Sequence, residues 1–284
     1  MLKTSLVAML VLAACNHAAG TNDDGDDDGT GDAGGSGLHP DTPNGATHYG
    51  VRDVLSPDYP TIIFEIDYET GKAPYTGSLL AQGDSFDLSK ANLNRLFAGR
   101  KTLMLPTTLA GMEDIGNVPD EDLTTNDLLA IANTHRQQHD GAGQRTFYLL
   151  FLGGYFDDGN GPNHNVLGVS LGSTGVVVFF KDVIASTGGG ISLTDTKRYV
   201  EQATMIHELG HSVGLTNDGV PMATAHEDTA HPAHCDNDKC AMFWVNEGAS
   251  EANQYVLDNV FSPGTILYDA HCLADVDAIT GGPQ

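Results

Sequence analysis

The chain has 284 residues, of which 40% are hydrophobic, and its formal net charge is −25 at pH 7. This length is enough for a globular domain with a sizeable core. So large an acidic excess repels phosphate groups, which argues against nucleic acid and against an anionic membrane surface as partners.

Residues 1–14 have the organisation of an export signal. Lys3 is followed by an apolar run that ends in Leu12-Ala13-Ala14-Cys15. This arrangement resembles the signal peptide and lipobox of bacterial lipoproteins. The resemblance implies that residues 1–14 are removed, that Cys15 is lipidated, and that the mature protein is exported and lipid-anchored in the bacterial cell envelope. The apolar run is too short to span a bilayer, so we expect membrane attachment through the N-terminal lipid only.

Residues 15–47 are rich in Asp and Gly and nearly devoid of large apolar side chains. Such a segment cannot bury enough apolar surface to offset the entropy lost on ordering. We therefore expect an acidic, flexible, self-repelling tether. Its aspartates at 23–28 lack the spacing and the terminal Glu of an EF-hand loop, which argues against a calcium site.

Residues 48–284 are expected to form one domain of alternating strands and helices. The predicted strands are 61–67, 101–105 and 146–152, and the predicted helices are 88–98 and 126–139. Apolar segments at 166–171 and 176–180 flank Gly172-Ser-Thr-Gly175, which is a hairpin signal. This order of elements indicates an α/β (α+β) fold.

The pentapeptide His207-Glu208-Leu209-Gly210-His211 carries the strongest chemical signal. On a helix, residues i and i+4 lie one above the other, so both imidazoles can bind one zinc ion. Glu208 lies beside the pair and can take a proton from an attacking water, which is the chemistry of peptide-bond hydrolysis. A glycine inside a helix costs about 1 kcal/mol relative to Ala, so Gly210 predicts that another backbone or a substrate strand packs closely there. Gly214 is expected to end the helix.

The segment His207-Glu-Leu-Gly-His211-Ser-Val-Gly214 resembles the active-site helix of the metzincin metallopeptidases. The later segment His234-Cys235-Asp-Asn-Asp-Lys-Cys240-Ala-Met242 is similar to the one that follows in the archaemetzincin subgroup. The resemblance implies a metzincin-like zincin fold with a twisted mixed sheet, an active-site helix and a smaller C-terminal subdomain. The upper subdomain would cover about 48–214 and the lower one about 215–284. It also implies a substrate aligned along an edge strand, and Met242 as the Met-turn beneath the metal.

The third zinc ligand does not follow directly from this motif. In metzincins a third histidine comes three residues after the glycine, but that position is Asn217 here. An insertion over about 216–233 would return His234 to the metal, as the archaemetzincin resemblance implies. Asp218 is the alternative third ligand, because Asp binds zinc well and Asn poorly. His226 and His231 lie in the same loop and are expected to be solvated surface histidines.

Three further cysteines, Cys235, Cys240 and Cys272, predict a second feature near the helix. In the archaemetzincin pattern, two cysteines after the histidine combine with a later cysteine pair to hold a structural zinc. Here the later pair reads Asp269-Ala-His271-Cys272, so Asp269 or His271 would complete the site. A disulfide with one remaining free thiol is the other expectation, because an exported protein meets an oxidising compartment.

These patterns together predict a zinc-dependent peptidase that acts on a peptide or protein substrate, with Glu208 as general base. The alternative is a non-catalytic, lipid-anchored protein that holds zinc as part of its structure. The intact Glu208 favours the enzyme, because a structural site has no use for a base. The interrupted third-ligand motif favours the alternative.

Overall fold

The computed structural model describes residues 54–79, 83–97, 99–119, 121–187, 193–260 and 266–281. The predictions of a signal peptide over 1–14, of lipidation at Cys15 and of a tether over 15–47 lie outside these residues. Among the helices of the described ranges, none is long and apolar enough to cross a membrane.

In chain order the strands are β1 (Thr61–Tyr68), β2 (Ser78–Leu79), β3 (Gly83–Asp84), β4 (Thr102–Met104), β5 (Glu113–Asp114), β6 (Asp122–Leu123), β7 (Gln144–Leu152), β8 (Tyr155–Asp157), β9 (Pro162–Asn163), β10 (Gly168–Ser170) and β11 (Val176–Phe180). The α-helices are α1 (Asp87–Leu96), α2 (Thr125–His135), α3 (Lys181–Ser186), α4 (Leu193–Ser212), α5 (Ala249–Val260) and α6 (Ala270–Thr280).

A twisted, mixed sheet lies at the centre of this α/β fold. Its strand order is β10-β11-β7-β1-β4, and β5 also pairs with β1. β1 pairs in parallel with β4, β5 and β7, and β7 pairs in parallel with β11. β10 runs antiparallel to β11 and forms the edge of this order. β7 is buried along almost its whole length, which explains its continuous apolar run.

The predicted strands at 61–67, 101–105 and 146–152 are confirmed as β1, β4 and β7. The helix predicted over 126–139 is too long, because α2 ends at His135. Arg136 leaves the helical conformation with ψ at 125°, and its buried guanidinium donates to the backbone oxygen of Thr146. The hairpin between β10 and β11 is confirmed as an antiparallel pair, with Gly175 in the left-handed region at φ 70°.

Helix α4 packs against β10, β11, α1 and α5, and it carries the pentapeptide near its C-terminal end. One buried ion pair holds it to α3. The Glu201 carboxylate lies against the Lys181 ammonium and also accepts the backbone N–H of Tyr75 at 2.7 Å. The helix ends at Ser212, and Gly214 follows in the left-handed region at φ 77°, as expected for the residue that stops it.

Candidate metal centre

The structure brings His207, His211 and His234 together. One ring nitrogen of each lies within 4.8 Å of those of the other two, and the Nε2 atoms of His207 and His211 are 3.1 Å apart. Two nitrogens bound tetrahedrally to one zinc are about 3.4 Å apart, from a Zn–N bond of about 2.0–2.1 Å. The spacing therefore fits three imidazole ligands of one ion.

In two of these rings the Nδ1 atom faces a backbone oxygen. His207 Nδ1 lies 2.8 Å from the backbone oxygen of Ala241, and His234 Nδ1 lies 2.9 Å from that of Pro232. A carbonyl oxygen only accepts, so both Nδ1 atoms must carry the proton and donate. Each Nε2 is then left with its lone pair, which is the form that binds a metal. This protonation pattern is what a zinc site requires.

Asp218, the alternative third ligand, faces the outer side of His211. Its Oδ2 lies 3.7 Å from His211 Nδ1, whereas the Nε2 of the same ring lies beside His207. Asp218 is not among the three residues whose ligand atoms converge. Its carboxylate is thus placed to orient the His211 ring and to favour metal binding through Nε2.

The loop between Gly214 and His234 folds back on itself, which is how His234 reaches the helix. Glu227 joins the two ends of this loop: its Oε1 accepts the backbone N–H of Ala233 at 2.8 Å, and its Oε2 accepts Nδ2 of Asn217 at 3.2 Å. Ala233 and Asn217 both have positive φ values, 65° and 68°. Such conformations cost energy for non-glycine residues, so the surrounding contacts must hold them. Sequence reasoning missed Glu227, because a single loop glutamate carries no sequence pattern.

Met242 packs against the helix at Gly210. A Cβ added to Gly210 would overlap Met242 Sδ and would lie 3.2 Å from Cε1 of Tyr268. The prediction of close packing at Gly210 is thus confirmed, but the neighbours are side chains and not a backbone or a substrate strand. Tyr268 also donates its hydroxyl to the backbone oxygen of Ile206 at 2.5 Å. The absence of a side chain at Gly210 leaves room for the Met242 sulfur against the helix.

Glu208 points towards the edge of the sheet. Its side chain is 4% exposed, and a Cβ added to Gly168 in β10 would lie 3.1 Å from Glu208 Cγ. Gly168 is therefore needed as glycine, because α4 approaches the edge strand closely there. The residue proposed as base thus lies between the histidines on its own helix and the edge strand β10.

A second cluster contains the three cysteines and Asp269. One ligand atom of each of Cys235, Cys240, Cys272 and Asp269 lies within 4.8 Å of the other three. The thiols are free, and the Sγ atoms of Cys240 and Cys272 are 3.6 Å apart, which is not a disulfide. Asp269 Oδ1 caps α6 through the N–H groups of His271 and Cys272, whereas its Oδ2 lies 3.5 Å from Cys235 Sγ. The same Oδ2 also accepts Nδ2 of Asn237 at 2.9 Å, and it lies beside the Cys235 sulfur.

Hydrogen bonds from the Cys235 and Cys272 thiols hold the pKa of Cys240 well below its usual value. The hydrogen bond to Cys240 raises the pKa of Cys235 to about 12. One thiolate shared by neighbouring thiols is the arrangement expected of cysteines that are close enough to bind a cation together.

His226 is buried, which corrects the expectation of a solvated surface histidine. It is 2% exposed, and its Nε2 lies 3.6 Å from Cys272 Sγ and 3.4 Å from Oδ2 of the buried Asp275. His231 is partly exposed and stacks on Trp244, with ring centroids 4.1 Å apart. His271, the alternative fourth ligand of the sulfur cluster, is exposed and stacks on His226. The structure therefore groups Asp269, and not His271, with the cysteines.

The segment 234–242 connects the two clusters. His234 belongs to the histidine cluster, and the next residue, Cys235, belongs to the sulfur cluster. The Cys235 N–H donates to the Met242 oxygen at 2.9 Å, and the Ala241 oxygen faces His207 Nδ1. Contacts that hold the cysteines in place therefore also hold His234, and the Ala241 oxygen beside His207, in position.

A cavity of about 710 Å³ lies elsewhere, beside β1 and β4, and it is lined in part by Glu65, Asp67 and Glu113. None of the three clustered histidines lines it. Burial raises the pKa of Asp67 to about 7, although its Oδ2 accepts the Tyr148 hydroxyl at 2.7 Å. This cavity holds no nucleophile–base pair and no set of converging metal ligands among the described residues.

Comparisons of the chain with protein-family models, with curated protein sequences and with solved structures found no match.

Proposed function

We propose that this chain is a zinc-dependent peptidase of metzincin type, similar to the archaemetzincin subgroup, and that it hydrolyses peptide bonds of peptide or protein substrates. His207, His211 and His234 would hold the catalytic zinc. When bound, zinc polarises the carbonyl group of the cleaved bond and lowers the pKa of water. Glu208 takes the proton of the attacking water and returns it to the leaving amine.

The observation that carries this proposal is the arrangement of the three imidazoles. One ring nitrogen of each histidine lies within 4.8 Å of those of the other two, while His207 and His234 donate through Nδ1 to backbone oxygens. A ring whose Nδ1 donates a hydrogen bond, and whose Nε2 keeps its lone pair for the metal, is typical of zinc-binding histidines. Three protein ligands, with a further position left for water or substrate, are what a catalytic zinc site has.

Glu208 favours an enzyme over a structural zinc protein. A structural site is closed by a fourth protein ligand and has no use for a base. At the histidine cluster, the converging set in the described residues has three members, and Glu208 lies on the helical turn between two of them. The non-catalytic, lipid-anchored zinc protein remains the second candidate, and the experiment below separates the two.

A second, structural zinc would be held by Cys235, Cys240, Cys272 and Asp269. The donor set fits, because thiolates and a carboxylate both bind zinc and one thiol already has a strongly lowered pKa. Since Cys235 follows His234 directly, this ion would hold the segment 234–242 in position. Its role would be structural, and we assign no step of hydrolysis to it.

We further propose that the protein is a lipoprotein of the bacterial cell envelope, attached through Cys15. The order of Lys3, the apolar run and the cysteine supports this. Replacing Cys15 by Ser should move the protein from the membrane fraction to the soluble one, and metabolic labelling with a fatty acid should mark only the parent chain. A parent chain that takes up no fatty acid would remove this proposal.

The peptidase proposal is tested with Glu208→Gln and Glu208→Ala. Both variants should keep the metal content of the parent chain, because Glu208 is not a ligand, and both should lose peptide hydrolysis by about 10²-fold or more, as expected for removal of a general base. Glu251, an exposed acid on α5, provides the matched control, and Glu251→Gln should keep hydrolysis. Hydrolysis at the parent rate in both Glu208 variants would contradict the proposal, and so would metal-loaded parent protein that cleaves no peptide.

A further inference from the structure

A gap in the pairing of β1 lies beside the cavity of about 710 Å³. β4 pairs with residues 61–63 of β1 and β5 with residues 67–68, and no described strand pairs with the residues between them on this side. Alternate residues of β4 donate to β1, beginning with Thr102, and the third of them would be Pro106, which has no N–H. The chain leaves the sheet there and returns as β5. The residues of β1 between the two pairings line the cavity that this detour leaves.

Apolar side chains form much of the cavity wall, and some of them are exposed. Met104 lines the cavity and is 55% exposed, and Leu109, which is 42% exposed, precedes the lining residue Ala110. In the described part of the chain these two are the large apolar side chains that remain exposed. Exposed apolar surface beside a cavity is typical of ligand sites, and binding pockets for small molecules have volumes of about 300–1,000 Å³. The size and the wall therefore fit a small molecule with an apolar body.

The charged side chains that line this cavity are all carboxylates. Asp67 is 1% exposed, whereas Glu65 is partly buried and Glu113 is exposed. No Lys, Arg or His is among the lining residues, and the ion pairs of the described residues include none of these three acids. Neutral donors reach two of them. Glu65 accepts the backbone N–H groups of Gln137 and Gln138 at 2.7 and 2.6 Å, and Gln137 Nε2 donates to Glu113. No positive charge that lines the cavity therefore balances the carboxylates.

The carboxylates limit the kind of molecule that can occupy the cavity. Their oxygens are not among the converging ligand atoms of the described residues, which argues against a single metal ion. Acidic ligands are repelled, and so are the acidic residues 15–47 of this chain and a second copy of the chain with its charge of −25. A positively charged organic group is attracted, and burial at Asp67 reduces the screening of that attraction by salt.

We propose that this cavity binds a small organic cation, with its ammonium or guanidinium group beside Asp67 and Glu113 and its apolar body against Met104. Ammonium and guanidinium groups carry only donors, which match a site whose charged groups are all acceptors. Charge-assisted hydrogen bonds of this kind are stronger than those between neutral groups. None of the three clustered histidines lines the cavity, and the inference does not rest on the proposed peptidase function.

The protonation of Asp67 gives this site a pH dependence that can be measured. Burial, and then the charges of Glu65 and Glu113, raise the pKa of Asp67 to about 7, against the hydrogen bonds from Tyr148 and from the Glu113 backbone, which lower it. Two bases act on the neighbouring Glu65: Arg136 and His139. A bound cation favours the ionised form of Asp67, so cation binding should strengthen as the pH rises through 7.

Four probes with the same six-carbon chain test the charge requirement. n-Hexylammonium and n-hexylguanidinium carry the proposed cation, whereas 1-hexanol is neutral and hexanoate is negative. Binding to the full chain is measured by isothermal titration calorimetry at pH 8, and NMR shifts of backbone amides locate it. At least one cation should bind with a Kd of about 1 mM or tighter and about tenfold more tightly than hexanol, while hexanoate should bind more weakly than hexanol. Between pH 6 and pH 8 the affinity for the cation should rise about threefold or more.

Two variants of different kinds test the position of the site. Asp67→Asn removes the buried carboxylate but keeps an oxygen for the Tyr148 hydroxyl, and it should weaken cation binding at pH 8 about tenfold and remove most of the pH dependence. Ala110→Trp changes no charge and fills the cavity from its exposed wall, so it should abolish binding of the cations. Glu121→Gln is the matched control. Glu121 is an exposed acid that does not line the cavity, and this variant should bind the cations as the parent chain does.

Equal binding of the cations, hexanol and hexanoate would overturn the inference, as would parent-like cation binding by both Asp67→Asn and Ala110→Trp. Failure of both cations to bind the parent chain would overturn it too. If circular dichroism shows that Asp67→Asn does not fold, Ala110→Trp and the pH dependence of the parent chain decide the outcome. These measurements require neither zinc nor hydrolysis, so their failure would leave the proposed function of the histidine cluster unaffected.

Discussion

Gly210→Ala should destabilise the protein, although alanine is the better helix former. In an exposed helix this substitution would gain about 1 kcal/mol. Here the new Cβ overlaps Met242 Sδ and comes within 3.2 Å of Tyr268 Cε1. Overpacking of this kind costs about 1–3 kcal/mol. The net expectation is a loss of about 0–2 kcal/mol in the free energy of unfolding, with weaker zinc binding because Gly210 is adjacent to His211 in the helix.

A double-mutant cycle separates the two contributions. In a Met242→Ala background the overlap with Sδ is gone, so adding Gly210→Ala should now stabilise the chain by about 1 kcal/mol or slightly less. Denaturant unfolding of the four chains gives the coupling energy. Gly141→Ala is the control in both backgrounds, because its Cβ would have no neighbour closer than 3.5 Å. If Gly210→Ala stabilises the parent and the Met242→Ala background equally, the packing explanation of Gly210 is wrong.

Two further predictions concern buried charged groups. Glu201→Gln should lower the unfolding free energy by about 3–5 kcal/mol, because it leaves the buried Lys181 ammonium without its carboxylate. Lys181→Met in the same chain should recover most of this loss. A Glu201→Gln chain that is as stable as the parent in denaturant unfolding would contradict the prediction. Asp67 has a folded pKa raised to about 7 by burial, above its usual 3.8, so the stability it contributes is complete below about pH 4 and is lost as the pH rises towards 7. Asp67→Asn should therefore reduce the loss of stability between pH 5 and pH 8 by roughly 1 kcal/mol, allowing for solvent screening. If urea unfolding has the same pH dependence in both chains, Asp67 does not titrate in this range.

The central part of the fold could be predicted from the sequence because its strands are strongly patterned. β7 is apolar along its length and β1 alternates between its two faces, and both patterns follow directly from burial. The end of α2 could not be predicted, because Arg136 leaves the helix to bind the backbone of β7, a contact between residues ten positions apart. Local propensity does not encode such contacts.

The candidate metal centre was predictable only in part, for a similar reason. His207 and His211 are neighbours on one helix, and their spacing alone places them together. His234 reaches them through a loop whose ends are joined by Glu227 and which contains three non-glycine residues at positive φ. Burial of His226 beside Cys272 and Asp275 likewise depends on how this loop folds.

Counting the zinc ions bound to four chains, by native mass spectrometry after dialysis against a competing chelator, tests the central claim most directly. The parent chain and Asp218→Ala should each hold the ion at the histidine cluster, because Asp218 faces only the outer nitrogen of His211. His234→Ala should lose that ion and keep the one at the cysteines, whereas Cys240→Ser should lose the cysteine-bound ion. If Asp218→Ala loses the ion and His234→Ala retains it, the three-histidine centre is wrong.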